Sequence, residues 1–355
     1  MRPLRVVLLY NLKKNAPHVL GEPADAAAEL DSEETAHALQ EAMEEGGHQV
    51  TPLEGDVNLY PILQRMRQDV DIAFNICEGH RGDSRESQVP AILEMLGIPY
   101  TGGKILAQAL SLDKAMTKRV WMSYGLPTAA FQLFEHGDEP LHPTLSFPLF
   151  VKPVHEGTAK GIDAHSVVHN QAQLQARVKS VIKAYQQPAL VETYLSGREF
   201  TVGLLGNALG RGEKPLSQLY DERGFHVFPV LEIDISPLAK TEGSIYTSHI
   251  KSDRPLDINY LCPARLDPAL EIELKRLSVA AFLAINALDV SRVDLRLDAD
   301  GKPRLIEINT LPGINPTISD LCIVARAEGM PYRQLVNDIL ALAARRSGLV
   351  DGAGN

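Results

Sequence analysis

The segment Ser291-Arg-Val-Asp-Leu-Arg-Leu-Asp-Ala-Asp-Gly-Lys-Pro-Arg-Leu-Ile-Glu-Ile-Asn309 constrains this chain most, because two strand-like runs flank the turn Asp298-Ala-Asp-Gly301. It reads as a hairpin. Side chains on a strand alternate with period two, so Arg292, Asp294 and Arg296 share one face, and Glu307 and Asn309 share a face of the partner strand. Antiparallel pairing through the turn brings Asp294 beside Glu307 and Asn309. Two carboxylates and an amide oxygen make a hard-oxygen cluster, suited to Mg²⁺ held jointly with substrate phosphates. A lone D-x-x-E pattern is more often a solvated strand surface. Here Leu305-Ile306 and Thr310-Leu-Pro-Gly313 bury the strand end, where ionised groups are costly unless paired or metal-bound. That favours the metal.

The stretch before the hairpin alternates. Val6 to Tyr10 reads as a buried strand, and a polar loop to about Leu30 precedes a helix opened by Asp31, Ser32, Glu33 and Glu34 and closed by Gly46-Gly47. Asp71 to Ile76 is a second strand, Val89 to Leu96 a helix ended by Gly97, and Ile98-Pro-Tyr a short strand. This is β-α-β-α order with a parallel sheet. After Thr101-Gly-Gly the pattern becomes a helix over 105–124 and strands near Phe131 and over 149–153. A third region holds a strand over 200–205, a long loop over 234–257, helices over 268–286 and 332–345, and the hairpin. No internal repeat is present.

A second chemical signal is Phe150-Val-Lys-Pro-Val-His-Glu-Gly-Thr-Ala-Lys-Gly161, a strand carrying Lys152 followed by a glycine- and threonine-bearing loop whose N–H groups are suited to phosphate. The P-loop pattern is absent, and such a turn taken alone is most often only a turn. A lysine on the preceding strand strengthens the phosphate reading. In Leu190-Val-Glu-Thr-Tyr-Leu-Ser-Gly-Arg-Glu199, Glu192 and Glu199 are placed to accept hydrogen bonds from an amino group and a ribose, although surface carboxylates are the plainer reading. Ser111-Leu-Asp-Lys114 fits the S-x-x-K pattern but lacks its S-D-N and K-T-G partners. His165 and His169 have no third ligand nearby, and His155 beside Glu156 is as easily a loop residue without a role.

Length and charge bound the rest. At 355 residues, two or three domains and a site between them are expected. A net charge of -10 argues against a general nucleic-acid binder, though a few lysines suffice for one nucleotide. Apolar stretches are of strand length, so no membrane span is expected, and the start MRPLRVVLLYNLKK reads as a first strand and not a signal segment. Cys77, Cys262 and Cys322, odd in number and widely spaced, fit a reducing cytoplasm.

Taken together these segments resemble the ATP-grasp superfamily, and within it the D-alanine–D-alanine ligases. The resemblance runs from about Asp71 to the final helix. It is carried by Asp71-Ile-Ala-Phe-Asn75, Met95-Leu-Gly-Ile-Pro-Tyr-Thr-Gly102, Leu112-Asp-Lys-Ala-Met-Thr-Lys118, Val151-Lys-Pro, Gly197-Arg-Glu-Phe-Thr-Val-Gly203, Cys262-Pro-Ala and Glu307-Ile-Asn-Thr-Leu-Pro-Gly313, in family-like order and spacing. It implies an α/β, three-domain ATP-grasp architecture: an N-terminal parallel α/β domain (1–102), a small central α+β domain (103–192), a C-terminal α+β domain (193–348), and a tail (349–355).

It also implies ATP with Mg²⁺, Mn²⁺ being an alternative, and small amino acid-like substrates; dimers are common in the family it resembles. Lys114 and Lys152 would contact phosphates, with the loop Glu156, Gly157, Thr158 to Gly161 closing over them. Glu192 and Leu195 would meet adenine, and Glu199 the ribose. Lys251 resembles a γ-phosphate lysine and Arg292 the arginine that stabilises a tetrahedral intermediate. With Thr158 and Glu34 these make the implied catalytic set, and Asp294, Glu307 and Asn309 match the Mg²⁺ ligands. Glu34 would hold the donor's ammonium, with Glu33 and Asp31 as alternatives.

On the substrate side, Gly313 and Ser319 would face the acceptor, Ser319 holding its carboxylate. Two positions there depart from the family: Glu78 stands where a histidine is expected, and Ser252 where a tyrosine is expected. The implied reaction is carboxylate–amine ligation through an acyl-phosphate, with D-alanine–D-alanine as a poor guide to the preferred pair. A non-catalytic nucleotide-binding module and a kinase of a hydroxylated small molecule are the competing readings.

Overall fold

The computed structural model describes residues 2–17, 23–234 and 259–350. Its first layer is the parallel sheet β2-β1-β3, with β1 at Arg5–Tyr10, β2 at Gln49–Glu54 and β3 at Ile72–Asn75. The apolar runs of β1 and β3 are buried almost completely, as parallel strands covered on both faces require. Helix α1 (Glu33–Glu45) connects β1 to β2; its Ser32 N-cap accepts the Thr35 N–H. Helix α2 (Leu59–Met66) precedes β3 and α3 (Gln88–Leu96) follows it. Ile98 to Tyr100, expected as a strand, contributes only a bridge between Ala73 and Tyr100.

The helix expected over 105–124 is two helices, α4 (Ile105–Leu112) and α5 (Lys114–Ser123). Asp113 breaks it. Its backbone is extended and its carboxylate caps α5 through the Met116 N–H at 2.9 Å, an alternative to helical continuation that short acidic side chains offer. A four-stranded antiparallel sheet follows in the order β4-β7-β5-β6, from β4 (Phe131–Phe134), β5 (Leu149–Pro153), β6 (Val167–Val168) and β7 (Ala189–Thr193), backed by α6 (Gln171–Tyr185).

The third sheet, also antiparallel, runs β11-β10-β8-β12-β13 with β9 on β8. Its strands are β8 (Glu199–Gly206), β9 (Phe225–Val227), β10 (Leu231–Asp234), β11 (Asn259–Leu261), β12 (Asp289–Leu297) and β13 (Pro303–Asn309). Helix α7 (Pro268–Ala284) packs on one face through Leu274, Leu277 and Phe282; α8 (Asp320–Glu328) and α9 (Tyr332–Arg346) lie on the other and reach α1 and β1. Leu349 and Val350, expected in a tail, pack against that core, whereas 351–355 lie outside the described residues. The long loop expected over 234–257 falls, apart from Asp234, outside them too.

The hairpin formed as expected, with one feature that alternation does not show. Gly301, at φ 75°, closes the turn, and pairing runs regularly from Leu297 opposite Pro303 to Leu295 opposite Leu305. Then Asp294 faces Glu307, so Ile306 is an extra residue in a β-bulge. Regular pairing would have set Ile306 opposite Asp294 and turned Glu307 to the other face. The bulge brings both Ile306 and Glu307 to the same cavity.

Candidate active site

Between the second and third sheets lies a solvent-open cleft of about 980 Å³, lined by residues of β5, β7, β12, β13, α5, α8 and the loop after β5. Most residues that sequence reasoning assigned to nucleotide and metal converge on it. Lys114, the first residue of α5, reaches the backbone oxygen of Glu156 and sits 3.2 Å from the Glu307 carboxylate. Lys152 on β5 lies 2.7 Å from Glu192 on β7, and Lys118, one helical turn after Lys114, lies 2.9 Å from the other oxygen of Glu192. Burial would raise the Glu192 pKa, yet Lys118 and Lys152 outweigh it and bring it to about 2. The same contest holds Lys152 above its ordinary value, Glu192 and Glu307 prevailing over burial. Leu195, Thr158 and Glu199 line the same cleft, and Glu199 pairs with Arg296 at 3.3 Å.

The metal set is gathered by register. Asp294 and Glu307 are directly cross-strand, and Asn309 Nδ2 is 3.4 Å from Asp294. Burial, together with the charge of Glu307, raises the Asp294 pKa against Arg292, while Lys114, Lys152 and Arg292 overcome burial to lower Glu307 to about 2. Two crowded carboxylates and an amide, all oxygen donors, fit a hard divalent cation. Among the described residues no group of three or more His, Cys, Asp or Glu side chains is placed to hold a metal, so an ion here would be completed by phosphate and water oxygens. Arg292 is fixed between Asp294 and Asp320, each at 3.0 Å. Those two carboxylates overcome burial to raise its pKa.

The loop after β5 is tied down by residues that pattern reading missed. The Gly157 N–H donates to Glu29 at 2.5 Å and the Gly161 N–H to Asp25 at 3.0 Å, while Lys160 pairs with Glu29 at 2.8 Å and with Glu156. Arg85 closes the network at 2.7 Å from Glu29 and 3.2 Å from Glu156. Burial raises Glu29, but Arg85 and Lys160 bring it to about 2. These anchors hold Thr158 and Ala159 in left-handed backbone at φ 48° and 54°, a conformation costing about 1–3 kcal/mol per residue unless its surroundings enforce it. Glu156 thus faces the loop's own anchors, with its second oxygen on Gln187 at 2.7 Å.

The substrate-side residues are less gathered. Glu34 is exposed on the first turn of α1, and Glu33, also exposed, pairs with Lys14. Asp31 is the withdrawn one of the three: burial pushes its carboxyl up to about 7. Half-buried Glu78 is raised well above the usual range, by burial first and then by the charges of Glu86, Glu29 and Asp31. Its surroundings thus favour the neutral form over the negative charge that its identity alone indicates. Gly313 is exposed, and Ser319, the N-cap of α8, accepts the Asn315 N–H at 2.8 Å. Lys251 and Ser252 lie outside the described residues.

Three packed layers with two antiparallel sheets closing on a phosphate-suited cleft define an ATP-grasp protein. Residues 120–341 match the family model for the D-ala D-ala ligase C-terminus. The D-alanine–D-alanine ligase of Cupriavidus necator is 33% identical over 291 residues, 81% of this chain and 80% of that one; that of Pseudomonas putida is 32% identical over 346 residues, 97% and 94%. An uncharacterized protein of Sinorhizobium fredii, y4sG, is 37% identical over 317 residues, 88% of each chain. The solved D-alanine–D-alanine ligase of Bacillus anthracis complexed with ATP superposes with a TM-score of 0.71 at 20% identity, covering 98% of this chain and 99% of that one. The chain belongs to the D-alanine–D-alanine ligase family.

Proposed function

We propose that this protein is an ATP-dependent carboxylate–amine ligase whose reaction passes through an acyl-phosphate, built as three domains over 1–102, 103–192 and 193–348. The observation that carries the reading is the convergence of Lys114, Lys152, Asp294, Glu307 and Arg292 on one cleft. An oxygen of the donor carboxylate attacks the γ-phosphorus of ATP, the P–O bond to ADP breaks, and ADP leaves with that electron pair. The amine then attacks the acyl carbon, a C–N bond forms, the C–O bond to phosphate breaks, and one amine proton passes to the departing phosphate.

Lys114 and Lys152 hold and neutralise phosphate oxygens, Leu195 and Glu192 border the base, and Glu199 takes the ribose. Asp294, Glu307 and Asn309 would hold Mg²⁺ or Mn²⁺, which supplies charge neutralisation at the phosphates. Arg292 stabilises the acyl oxygen as it becomes negative, and Lys251, outside the described residues, is assigned to the γ-phosphate by resemblance alone. Thr158 and Glu156-Gly157 belong to the loop that covers the nucleotide. One of Glu34, Glu33 and Asp31 takes the donor ammonium. Glu78, Gly313 and Ser319, with Ser252 by resemblance alone, are assigned to the substrate, and the departures at Glu78 and Ser252 make D-alanine with itself a poor pair.

Release of ADP and phosphate across pairs of D- and L-amino acids, with product mass, tests this. Amide formation with a pair other than two D-alanines supports it. D-alanine with itself as the best pair would overturn the substrate assignment, and a phosphorylated hydroxyl product the reaction assignment. No helix among the described residues is long and apolar enough to cross a membrane.

A further inference from the structure

The loop over 156–161 is a thin wall. Thr158 and Ala159 line the cleft, Glu29, Gly79 and Arg85 line a second open cavity on the far side, and Glu156 and Lys160 border both. The two ends of the loop are held within their own layer, where Gln187 donates to Glu156 at 2.7 Å and Arg177 to the Gly161 oxygen at 2.6 Å. Its middle is held from another layer. Glu29, in the segment between β1 and α1, accepts the Gly157 N–H with one carboxylate oxygen and meets Lys160 and Arg85 with the other, at 2.8 and 2.7 Å. A Cβ on residue 157 would lie 2.6 Å from that first oxygen, so the approach requires the glycine. Glu29 and Glu156 answer Arg85 and Lys160 charge for charge, and none of the four side chains is more than 12% exposed. Removing one partner from such a set leaves a buried charge unmatched.

Between these ties Thr158 and Ala159 stand at left-handed φ, a strained shape unless it is held. Without Glu29, Arg85 and Lys160 lack one negative charge and the Gly157 N–H lacks its acceptor, so the stretch swings away from the cleft. An acyl-phosphate uncovered in this way is open to water as well as to an amine. The water oxygen bonds to the acyl carbon, the C–O bond to phosphate breaks, phosphate leaves with that electron pair, and a water proton passes to it. The donor acid is returned, and ATP is consumed without product.

We propose that Glu29 is a positioning residue of the reaction, clamping the stretch 157–160 over the phosphates from the N-terminal layer and so keeping water from the acyl-phosphate. The proposal rests on the ligase reading above. Hydroxylamine serves as acceptor in the test, since it attacks the acyl carbon, releases phosphate and leaves a hydroxamate whatever the natural amine is. With the donor that gives most hydroxamate, ADP and hydroxamate are measured in the same reaction. The wild type should release about one ADP per hydroxamate, and Glu29→Ala at least about threefold more, the excess vanishing when the donor is omitted. Glu29→Gln, which keeps an oxygen for the Gly157 N–H but loses the charge, should fall between them and carries the test should the alanine variant not fold. A slower variant with an unchanged ratio is what a merely structural role gives, and it overturns the proposal. So does an excess that persists without donor, which is water attacking ATP itself. A wild type that already releases ADP in several-fold excess overturns it whether or not the variants fold. Absence of hydroxamate from every carboxylic acid tried with the wild type would instead remove the ligase reading, and this proposal with it.

Discussion

At the scale of single residues, charges compensate one another inside the cleft. Glu307 is held ionised by Lys114, Lys152 and Arg292 against its burial, whereas Asp294, closer to Arg292 alone, is raised. Asp294→Asn and Glu307→Gln are each expected to lower kcat by at least about 10²-fold with a melting curve close to wild type, because each removes a metal-neutralising charge. Turnover near the wild-type rate in either variant would contradict the metal assignment. Lys114→Ala and Lys152→Ala should raise KM for ATP by about tenfold or more; a change confined to the amino acid KM would place both lysines in the wrong subsite.

A pH dependence follows from the buried acids. Asp31 and Glu86 are pushed up to about 7 and about 8, chiefly by burial, so the native state retains protons that the unfolded chain releases near ordinary carboxylate values. The stability this confers is complete below those ordinary values and drains away as pH rises to 7–8. Glu86→Gln should therefore gain Tm relative to wild type between pH 5 and pH 8; a difference that stays constant or falls over that range would contradict the assignment. Glu29, Glu192 and Glu307, lowered to about 2, act with the opposite sign and matter only as pH falls below about 4.5.

At the scale of elements, the hairpin of β12 and β13 and the loop after β5 carry the site. The hairpin was legible because period-two alternation and an Asp-Gly turn are local signals. The bulge at Ile306 was not, since an extra residue alters which face Glu307 takes without altering the residue types. The ties from Asp25, Glu29 and Arg85 to the glycine loop were invisible for a different reason: they join segments more than 70 residues apart, and no period links them. Lys118 did carry a signal, its i+4 spacing from Lys114 on one helix face.

Gly197 tests how closely the β8 entry must approach the hairpin. A Cβ there would lie 2.7 Å from the Leu297 carbonyl oxygen, where the Gly197 N–H already donates at 2.9 Å. Gly197→Ala should cost about 1–3 kcal/mol in urea denaturation, and a loss under about 0.5 kcal/mol would show that the strand end yields freely.

At the scale of the whole molecule, the parallel first sheet was readable from β-α-β-α alternation, whereas the pairing of the second and third sheets, which joins strands far apart in sequence, was not. Family membership rests on 32–33% identity to named D-alanine–D-alanine ligases across most of the chain. Glu78 is raised by burial and by neighbouring carboxylates, and Asp320 pairs with Arg292, and neither state can be inferred from a residue type alone. Ligand identity is thus decided by protonation and pairing, which depend on every element packed around the cleft.

The central claim is that a carboxylate is activated as its acyl-phosphate. Its most direct test is oxygen transfer from a donor labelled with ¹⁸O in both carboxylate positions, followed by mass analysis of the released phosphate and the amide. One label per turnover in inorganic phosphate and one retained in the amide is the predicted result; phosphate free of label while ADP and amide accumulate would contradict it.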